Sequence, residues 1–295
     1  MSITIMKILN KFYTMLLSVE EFVAKLKQQP TPLKVRRLCQ KQRELIVQKH
    51  HNLFSLKNAF TKYRNCLKID IGSEQYVKQQ SVLNLALEIL RLSPNEQKQF
   101  NEHKNLQIKK DLSQLRPIHD VEGYLAKAVK FVKSNDIFET AIGLCALTGR
   151  RVGEIFSTCE FTEVSEYIVL FDGQLKTKNS RELIPYEIPV LHNSEVIVKA
   201  LKYLRNFNPE FKLQSLASVH DKVSWKINKI YKAHFTNYYE SPTRPKDMRS
   251  IYATICYAKN PANVRVSRQV FYGHILGHGK DDIQTASSYE DFYLV

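Results

Sequence analysis

The sequence predicts a mainly α protein with a small antiparallel β-sheet, arranged as two domains. Apolar residues recur at helical spacing through most of the chain, as at Leu53, Leu56, Phe60, Tyr63 and Leu67. Two β-rich runs stand apart, "YIVLFDGQL" at 167–175 and "ELIPYEIPV" at 182–190, and the polar "KTKNSR" between them makes a hairpin with a basic tip. The stretch "NLQIKKDLSQLRPIHD" at 105–120 breaks the helical regularity, is basic and contains Pro117, so it reads as a linker. The expected domains are a basic, helical one over 1–115 and an α-rich one with the sheet over 116–295. With 295 residues, 43% of them hydrophobic and 11% aromatic, the chain is long enough for two cores.

The opening "MSITIMKILNKFYTMLL" reads as an amphipathic helix, because Lys7 and Lys11 interrupt its apolar run and no small-residue cleavage site follows. No later stretch is apolar for long enough to span a bilayer. The pattern is helical from Lys34 to Lys68. Within it Lys34, Arg37 and Lys41 stand at i, i+3 and i+7, so one helix presents three cations to a phosphate backbone. Lys57, Arg64 and Lys68 fall on a different side from the apolar stripe. A further helix covers 74–92, and "SPNE" at 93–96 opens the next, with Ser93 as N-cap, Pro94 at the first helical position and Glu96 completing a capping box. Beyond the linker, "DVEGYLAKAVKFVKSN" is a helix and "DIFETAIGLCALTG" a more buried one capped by Asp136. After the hairpin, "NSEVIVKALKYLRNF" and "KDMRSIYATICYAK" return to helical patterns.

Lys and Arg number 44 against 29 Asp and Glu, a formal charge of +15 that points to a polyanionic partner, nucleic acid first. Residues 1–116 hold 21 of these cations against 9 acids, so counterion-release binding belongs mostly to the N-terminal part. Lys34, Arg37, Lys41, Lys57, Arg64 and Lys68 are its candidate DNA contacts. The five cysteines are odd in number, widely spaced and contain no C-x-x-C pair, which argues against a disulfide framework or a zinc site and fits a reducing compartment.

Four stretches of the C-terminal part hold the chemically suggestive groups: "TGRRVGEI" (148–155), "QLKTKNSRE" (174–182), "KDMR" (246–249) and "LGH" (276–278) with Tyr289 after it. Their types suit attack on a phosphodiester. Negative charge concentrates on the non-bridging oxygens as a fifth bond forms, and two guanidiniums, Arg151 and Arg249, can clamp them with bidentate hydrogen bonds. A tyrosine nucleophile with an unperturbed pKa of about 10 is ionised to about one part in a thousand near neutrality, so Tyr289 needs cationic neighbours. The leaving alkoxide needs a proton donor, for which Lys176 at the hairpin tip is the natural choice. No carboxylate cluster with two-metal spacing accompanies these residues, and cations can do the electrostatic work, so neither a metal nor another cofactor is expected.

In their order these elements resemble the signature of the tyrosine recombinase superfamily, T-G-x-R-x-x-E, a hairpin Lys, H-x-x-R, L-G-H and a final Tyr, over residues 118–295. The resemblance implies a catalytic domain of that fold. It puts the first catalytic arginine at Arg151, with Arg150 in the variable slot as a DNA contact. Lys176 falls at the hairpin lysine, with Lys178 the competing assignment and otherwise a DNA contact; Arg249, His278 and Tyr289 complete the set, and Thr285 resembles a threonine common before the tyrosine. Tyr293 and His274 are the rivals of Tyr289 and His278. Two departures are informative: Lys246 stands where a histidine is usual, and the eleven-residue interval from His278 to Tyr289 is two longer than customary. Both features are similar to the telomere resolvases, or protelomerases, of prokaryotes and phages with linear, hairpin-ended replicons. So are the 25-residue interval from Arg151 to Lys176 and the segment "LGHGKDDIQTASSYEDF".

The resemblance implies two transesterifications through a 3′-phosphotyrosyl link, converting an inverted-repeat telomere junction in double-stranded DNA into two closed hairpins. It further implies a homodimer on that DNA, located with the nucleoid in the cytoplasm of a prokaryotic host or phage-infected cell. The alternative from the same residues is a site-specific recombinase or integrase exchanging strands between two duplexes. A type IB topoisomerase and a non-catalytic DNA-binding relic are more distant readings. Only six residues follow Tyr289, a short stretch to exchange with a neighbouring subunit.

Overall fold

Two stretches of chain, Met1–Gln107 and Ile108–Val295, cluster separately in the computed structural model, which describes residues 16–29, 31–71, 80–175, 184–239, 243–259, 265–277, 286 and 288–295. The fold class is the expected one, mainly α with a small antiparallel sheet. None of the described helices is long and apolar enough to cross a membrane.

The first unit is helical: α1 (Val19–Lys27), α2 (Pro32–Lys49), α3 (Leu53–Ile71), α4 (Gln80–Ile89) and the greater part of α5 (Pro94–Ser113). Local chemistry sets their starts. Ser18 and Glu21 form a capping box, Thr31 caps α2 ahead of Pro32, and Ser93 with Glu96 forms the capping box expected for α5. The helical pattern from Lys34 to Lys68 resolves into two helices. Asn52 accepts from the Ser55 N–H at 2.8 Å and caps a new helix, a local competition that apolar periodicity does not register. The anticipated stripe is present: Leu56, Phe60, Tyr63 and Leu67 are buried against Phe22, Leu26, Cys39 and Ile46. Buried Gln42 is satisfied by donating to Leu17 O at 2.9 Å and to Tyr63 Oη at 3.0 Å. The helix expected over 74–92 is seen as α4, and its portion at 74–79 lies outside the described residues, as does the opening helix over residues 1–15.

The expected linker differs. Helix α5 continues to Ser113, and the division between units falls between Gln107 and Ile108 rather than near Leu115. Residues 101–110 are exposed and polar enough to look irregular, yet no Pro or Gly interrupts them before Pro117, so the helix carries on.

The second unit begins with β1 (Arg116–Ile118) and α6 (Val121–Val132), whose N-cap Asp120 accepts from the Gly123 N–H. Helix α7 (Ile137–Thr148), capped by Asp136, is buried at every residue from Thr140 to Thr148. A single π-helical turn, Glu154–Thr158, leads into β2 (Glu160–Ser165), β3 (Ile168–Asp172) and β4 (Tyr186–Pro189). These strands form one antiparallel sheet in the order β2-β3-β4, with Phe161 opposite Phe171 and Phe171 opposite Tyr186. The hairpin was expected. Strand β2 was not, because only Phe161 in "EFTEVS" is buried and the edge strand lacks an apolar alternation. Helices α8 (Ser194–Phe207), α9 (Leu216–His234), α10 (Met248–Lys259) and α11 (Arg268–Leu276) follow, with short 3₁₀ turns between some of them. Finally β5 (Phe292–Leu294) pairs in parallel with β1, a three-residue match between distant segments that no local pattern announces. Cys39, Cys145, Cys159 and Cys256 are buried free thiols, and burial pushes the Cys39 and Cys256 thiols up to about 12.

Gly149 terminates α7 with φ +65°, and a Cβ there would overlap the Tyr252 ring. Gly149→Ala is expected to destabilise the second unit by about 1–3 kcal/mol, through left-handed backbone strain and displacement of a buried ring. Urea unfolding monitored on that unit checks this, and an unchanged midpoint contradicts it.

Candidate active site

Helix α7 ends in the Thr148–Arg151 segment, so the buried helix fixes where two consecutive arginines emerge. Thr148 bonds back to Leu144 O at 2.7 Å, and its own carbonyl accepts from Arg150 Nε at 3.2 Å. Arg151 and Glu154 then close on one another: the Arg151 N–H donates to Glu154 Oε2 at 2.8 Å, and Arg151 Nη1 reaches Glu154 Oε1 at 2.5 Å. Glu154 is fully buried within the π-helical turn, where Arg205 supports the backbone by donating to Glu154 O, Phe156 O and Cys159 O. Burial alone would raise its carboxyl pKa, but Arg249, Arg150, Arg151 and the Arg151 N–H outweigh burial and hold it below the ordinary value.

This pair also grips the chain that leads to the hairpin tip. Leu175 N–H donates to Glu154 Oε1 at 3.1 Å, and Leu175 O accepts from Arg151 Nη1 at 3.1 Å. Lys176 is the next residue; it and Lys178 lie outside the described residues. Gln174, itself buried, donates from Nε2 to Gly277 O at 2.6 Å and accepts from Tyr186 Oη at 2.5 Å. Gly277 has φ +70°, and a Cβ there would overlap Gln174 and the Tyr186 hydroxyl. The two segments leading to Lys176 and His278 are thus held to each other at Gln174 and Gly277, although His278 and Thr285 also lie outside the described residues.

Arg150 departs from its expected place at a DNA surface. It is 2% exposed, donates to Tyr186 Oη at 2.8 Å and to Ile275 O at 2.7 Å, and lies 4.5 Å over the Phe171 ring. Burial would lower its pKa, yet Tyr186 and Glu154 hold it above the ordinary value, so the guanidinium stays charged inside the protein. Its donors reach protein groups deep in the core, so it braces the site from behind.

Arg249 is the second residue of α10 and is 4% exposed. Nη1 donates to Gly149 O at 2.7 Å and Nη2 to Leu276 O at 2.5 Å, tying the α7 terminus to the Leu-Gly-His turn. Its Nε is buried with no hydrogen-bond partner among the described residues. Burial, then repulsion from Arg150 and Arg151, lowers its pKa to about 10, which leaves it protonated near neutrality. The half-buried Tyr289 ring lies 5.5 Å from the Arg249 guanidinium carbon. Tyr293, by contrast, sits in β5 opposite Pro117 and is 41% exposed, and His274 faces outward on α11. Lys246 is exposed on the 3₁₀ turn before α10. Of the six residues expected to be catalytic, the structure brings Arg151 and Arg249 near Glu154, and sets Arg249 beside the Tyr289 ring. Sequence reasoning missed Glu154 as the hub, Gln174, Tyr186 and Arg205; the only signal was the E of T-G-x-R-x-x-E.

In the first unit Lys34, Arg37, Lys41 and Lys68 are exposed, Lys41 lying 3.6 Å from Glu44. Lys57 and Arg64 line a cavity of about 450 Å³ with Arg91. Lys57 Nζ stands 3.9 Å from the Phe100 ring centre, and Arg64 donates to Leu87 O at 2.6 Å, so these two are held by protein groups and less free than the other four. Among the described residues no three His, Cys, Asp or Glu side chains come together as a metal site.

The fold is shared with proteins that handle DNA. A solved structure of protelomerase TelA covalently complexed with substrate DNA superposes with a TM-score of 0.80 at 26% identity, covering 94% of this chain and 87% of that one. The protelomerase of Yersinia phage PY54 is 32% identical over 200 residues, 60% of this chain and 32% of the phage protein. That of Escherichia phage N15 is 27% identical over 194 residues, 61% of this chain and 30% of the phage protein. The chain spans about a third of the length of these curated relatives. Residues 114–292 match the family model of the telomere resolvase ResT/TelK catalytic domain, and the chain belongs to that family.

Glu154→Gln is expected to destabilise the second unit by about 3 kcal/mol or more at neutral pH, because buried arginines lose their counter-charge. A carboxyl whose folded pKa is depressed contributes in full above its unfolded value and ceases to contribute as pH falls through the folded one. The deficit relative to the parent therefore narrows as unfolding is measured at progressively lower pH below about 4.5; a pH-independent deficit contradicts this.

Proposed function

We propose that this chain breaks and rejoins DNA, converting a replicated telomere junction into two covalently closed hairpin ends. The observation that carries the reading is the buried Arg249 guanidinium beside the Tyr289 ring, bonded to Gly149 O and Leu276 O near the Arg151–Glu154 pair, in a member of the telomere resolvase family. Tyr289 gives its phenolic proton to solvent, its Oη attacks the scissile phosphorus and the bond to the 5′ oxygen breaks, leaving a 3′-phosphotyrosyl link. Lys176 gives its proton to the departing 5′ oxygen, with Lys178 its rival for that role. Arg151, Arg249 and His278 bind the non-bridging oxygens as charge develops there, and Lys246 occupies the rim where the superfamily usually has a histidine. The 5′-hydroxyl of the opposite strand, giving its proton back to Lys176, then attacks the phosphotyrosine, closing the hairpin and releasing Tyr289 as a phenolate that regains a proton from solvent. Bond energy is conserved in the covalent link.

The first unit is read as the DNA-binding domain, and Lys34, Arg37, Lys41 and Lys68 as phosphate contacts, with Lys57 and Arg64 contributing from the cavity wall. Two protomers act on one inverted-repeat junction in double-stranded DNA. The setting is the cytoplasm of a prokaryotic or phage-infected cell, with the nucleoid.

Incubating the protein with an inverted-repeat duplex from a replicon end, followed by denaturing electrophoresis, tests the reaction. Two hairpins and a protein–DNA adduct are expected; exchanged duplexes or four-way junctions instead identify a strand-exchange recombinase. Tyr289→Phe should abolish adduct and hairpin while leaving DNA binding intact, and Arg249→Ala should slow adduct formation by about a hundredfold. Undiminished cleavage by Tyr289→Phe refutes the assignment. Replacing Lys34, Arg37 or Lys41 by Ala should weaken binding about equally for all sequences, each reducing the slope of log affinity against log salt by about one.

A further inference from the structure

Arg116 belongs to the stretch that reads as a linker in the sequence, yet its guanidinium joins two segments of the site. It opens β1 opposite Phe292, and its backbone N–H donates to Asp291 O at 2.9 Å. Nη1 lies 3.2 Å from Asp247 Oδ2, Nη2 lies 3.4 Å from Asp291 Oδ2, and the guanidinium carbon stands 4.0 Å over the Phe292 ring. Asp247 is two residues before Arg249, and Asp291 is two residues after Tyr289. We propose that Arg116 is a positioning residue that sets the placement of Tyr289 relative to Arg249; the proposal rests on the reading of Tyr289 as the nucleophile.

The physical case has three parts. First, β1 and β5 are three-residue strands, too short for backbone pairing alone to hold the tail firmly, so side-chain contacts decide its placement. Second, the clamp is sheltered: Asp247 is 4% exposed and Arg116 about one-fifth exposed, so the charge-assisted bonds are less screened than a surface pair. Third, Asp247 Oδ2 also accepts from the Arg244 N–H at 3.0 Å, which fixes the 3₁₀ turn that introduces Arg249. One planar cation therefore touches the anchors of both groups. A shift of about 1 Å in a reacting group costs up to about a hundredfold in rate, so a residue with no contact to the reacting atoms can govern adduct formation.

The test is single-turnover adduct formation by the full chain on an inverted-repeat duplex, with DNA affinity and thermal melting measured alongside. Arg116→Ala is expected to slow the adduct by about tenfold to a hundredfold, with affinity changed by less than about threefold. The slowing should persist on a duplex carrying a bridging 5′-phosphorothiolate, whose leaving group needs no proton. Arg116→Lys should restore part of the rate, and Asp291→Asn should slow the parent but add nothing to Arg116→Ala. A parent-like rate for Arg116→Ala overturns the proposal, as does a defect that vanishes on the phosphorothiolate, which would place the effect on proton donation. If Arg116→Ala melts below the assay temperature, Asp291→Asn decides by the same two readouts. A parent that forms no adduct on any tested junction overturns the nucleophile reading and this inference with it, whereas an active parent matched by its variants overturns this inference alone.

Discussion

The second unit is organised around the buried carboxylate of Glu154. Arg150, Arg151 and Arg249 all act on it, and Arg150 and Arg249 would otherwise be cations in a poorly solvated interior. The mutual repulsion shows in Arg249, whose affinity for its proton falls through burial and through Arg150 and Arg151, while Glu154 opposes that fall. A buried acid of this kind is not an economical source of stability, since desolvation offsets much of the Coulombic gain. Its effect is geometric: it lets these guanidiniums be held close together inside the second unit.

The consequences of that arrangement run outward through the backbone. Arg151 and Glu154 together clamp Leu175, Arg249 bonds Gly149 O and Leu276 O, and Arg150 bonds Ile275 O. The ends of α7 and α11, the start of α10 and the base of the hairpin are therefore fixed by the same few cations. The π-helical turn serves the same arrangement, since it sets Glu154 inward and leaves carbonyls that Arg205 satisfies. Strand β5 does for Tyr289 what the helix ends do for the arginines, supplying a backbone anchor within a few residues of its side chain.

Much of this was legible in the sequence where the signal is local. The caps at Ser93 and Asp136, the stripe from Leu56 to Leu67 and the hairpin strands follow from the residue types beside them. Candidate residues were legible through their order, and Arg151, Arg249 and Tyr289 do lie near one another. The edge strand β2 was hidden because its exposed faces carry no alternation, and the extension of α5 because a polar helix resembles a linker in composition. Arg150 was misread because adjacent arginines look alike in a motif, although one faces Glu154 and the other the core beneath Tyr186.

By itself the sequence determined most of the helices and the hairpin, the caps that open several of them and the inventory of cations, hydroxyls and acids, because caps, periodicity and turn chemistry act over a few residues. Tertiary structure alone decided which of those groups meet. Arg150 finds Ile275 across 125 residues, Gln174 finds Gly277 across 103, and Arg116 finds Asp247 and Asp291 across 131 and 175. Such pairings depend on how buried helices and a three-residue strand stack in space, and no local rule encodes that distance.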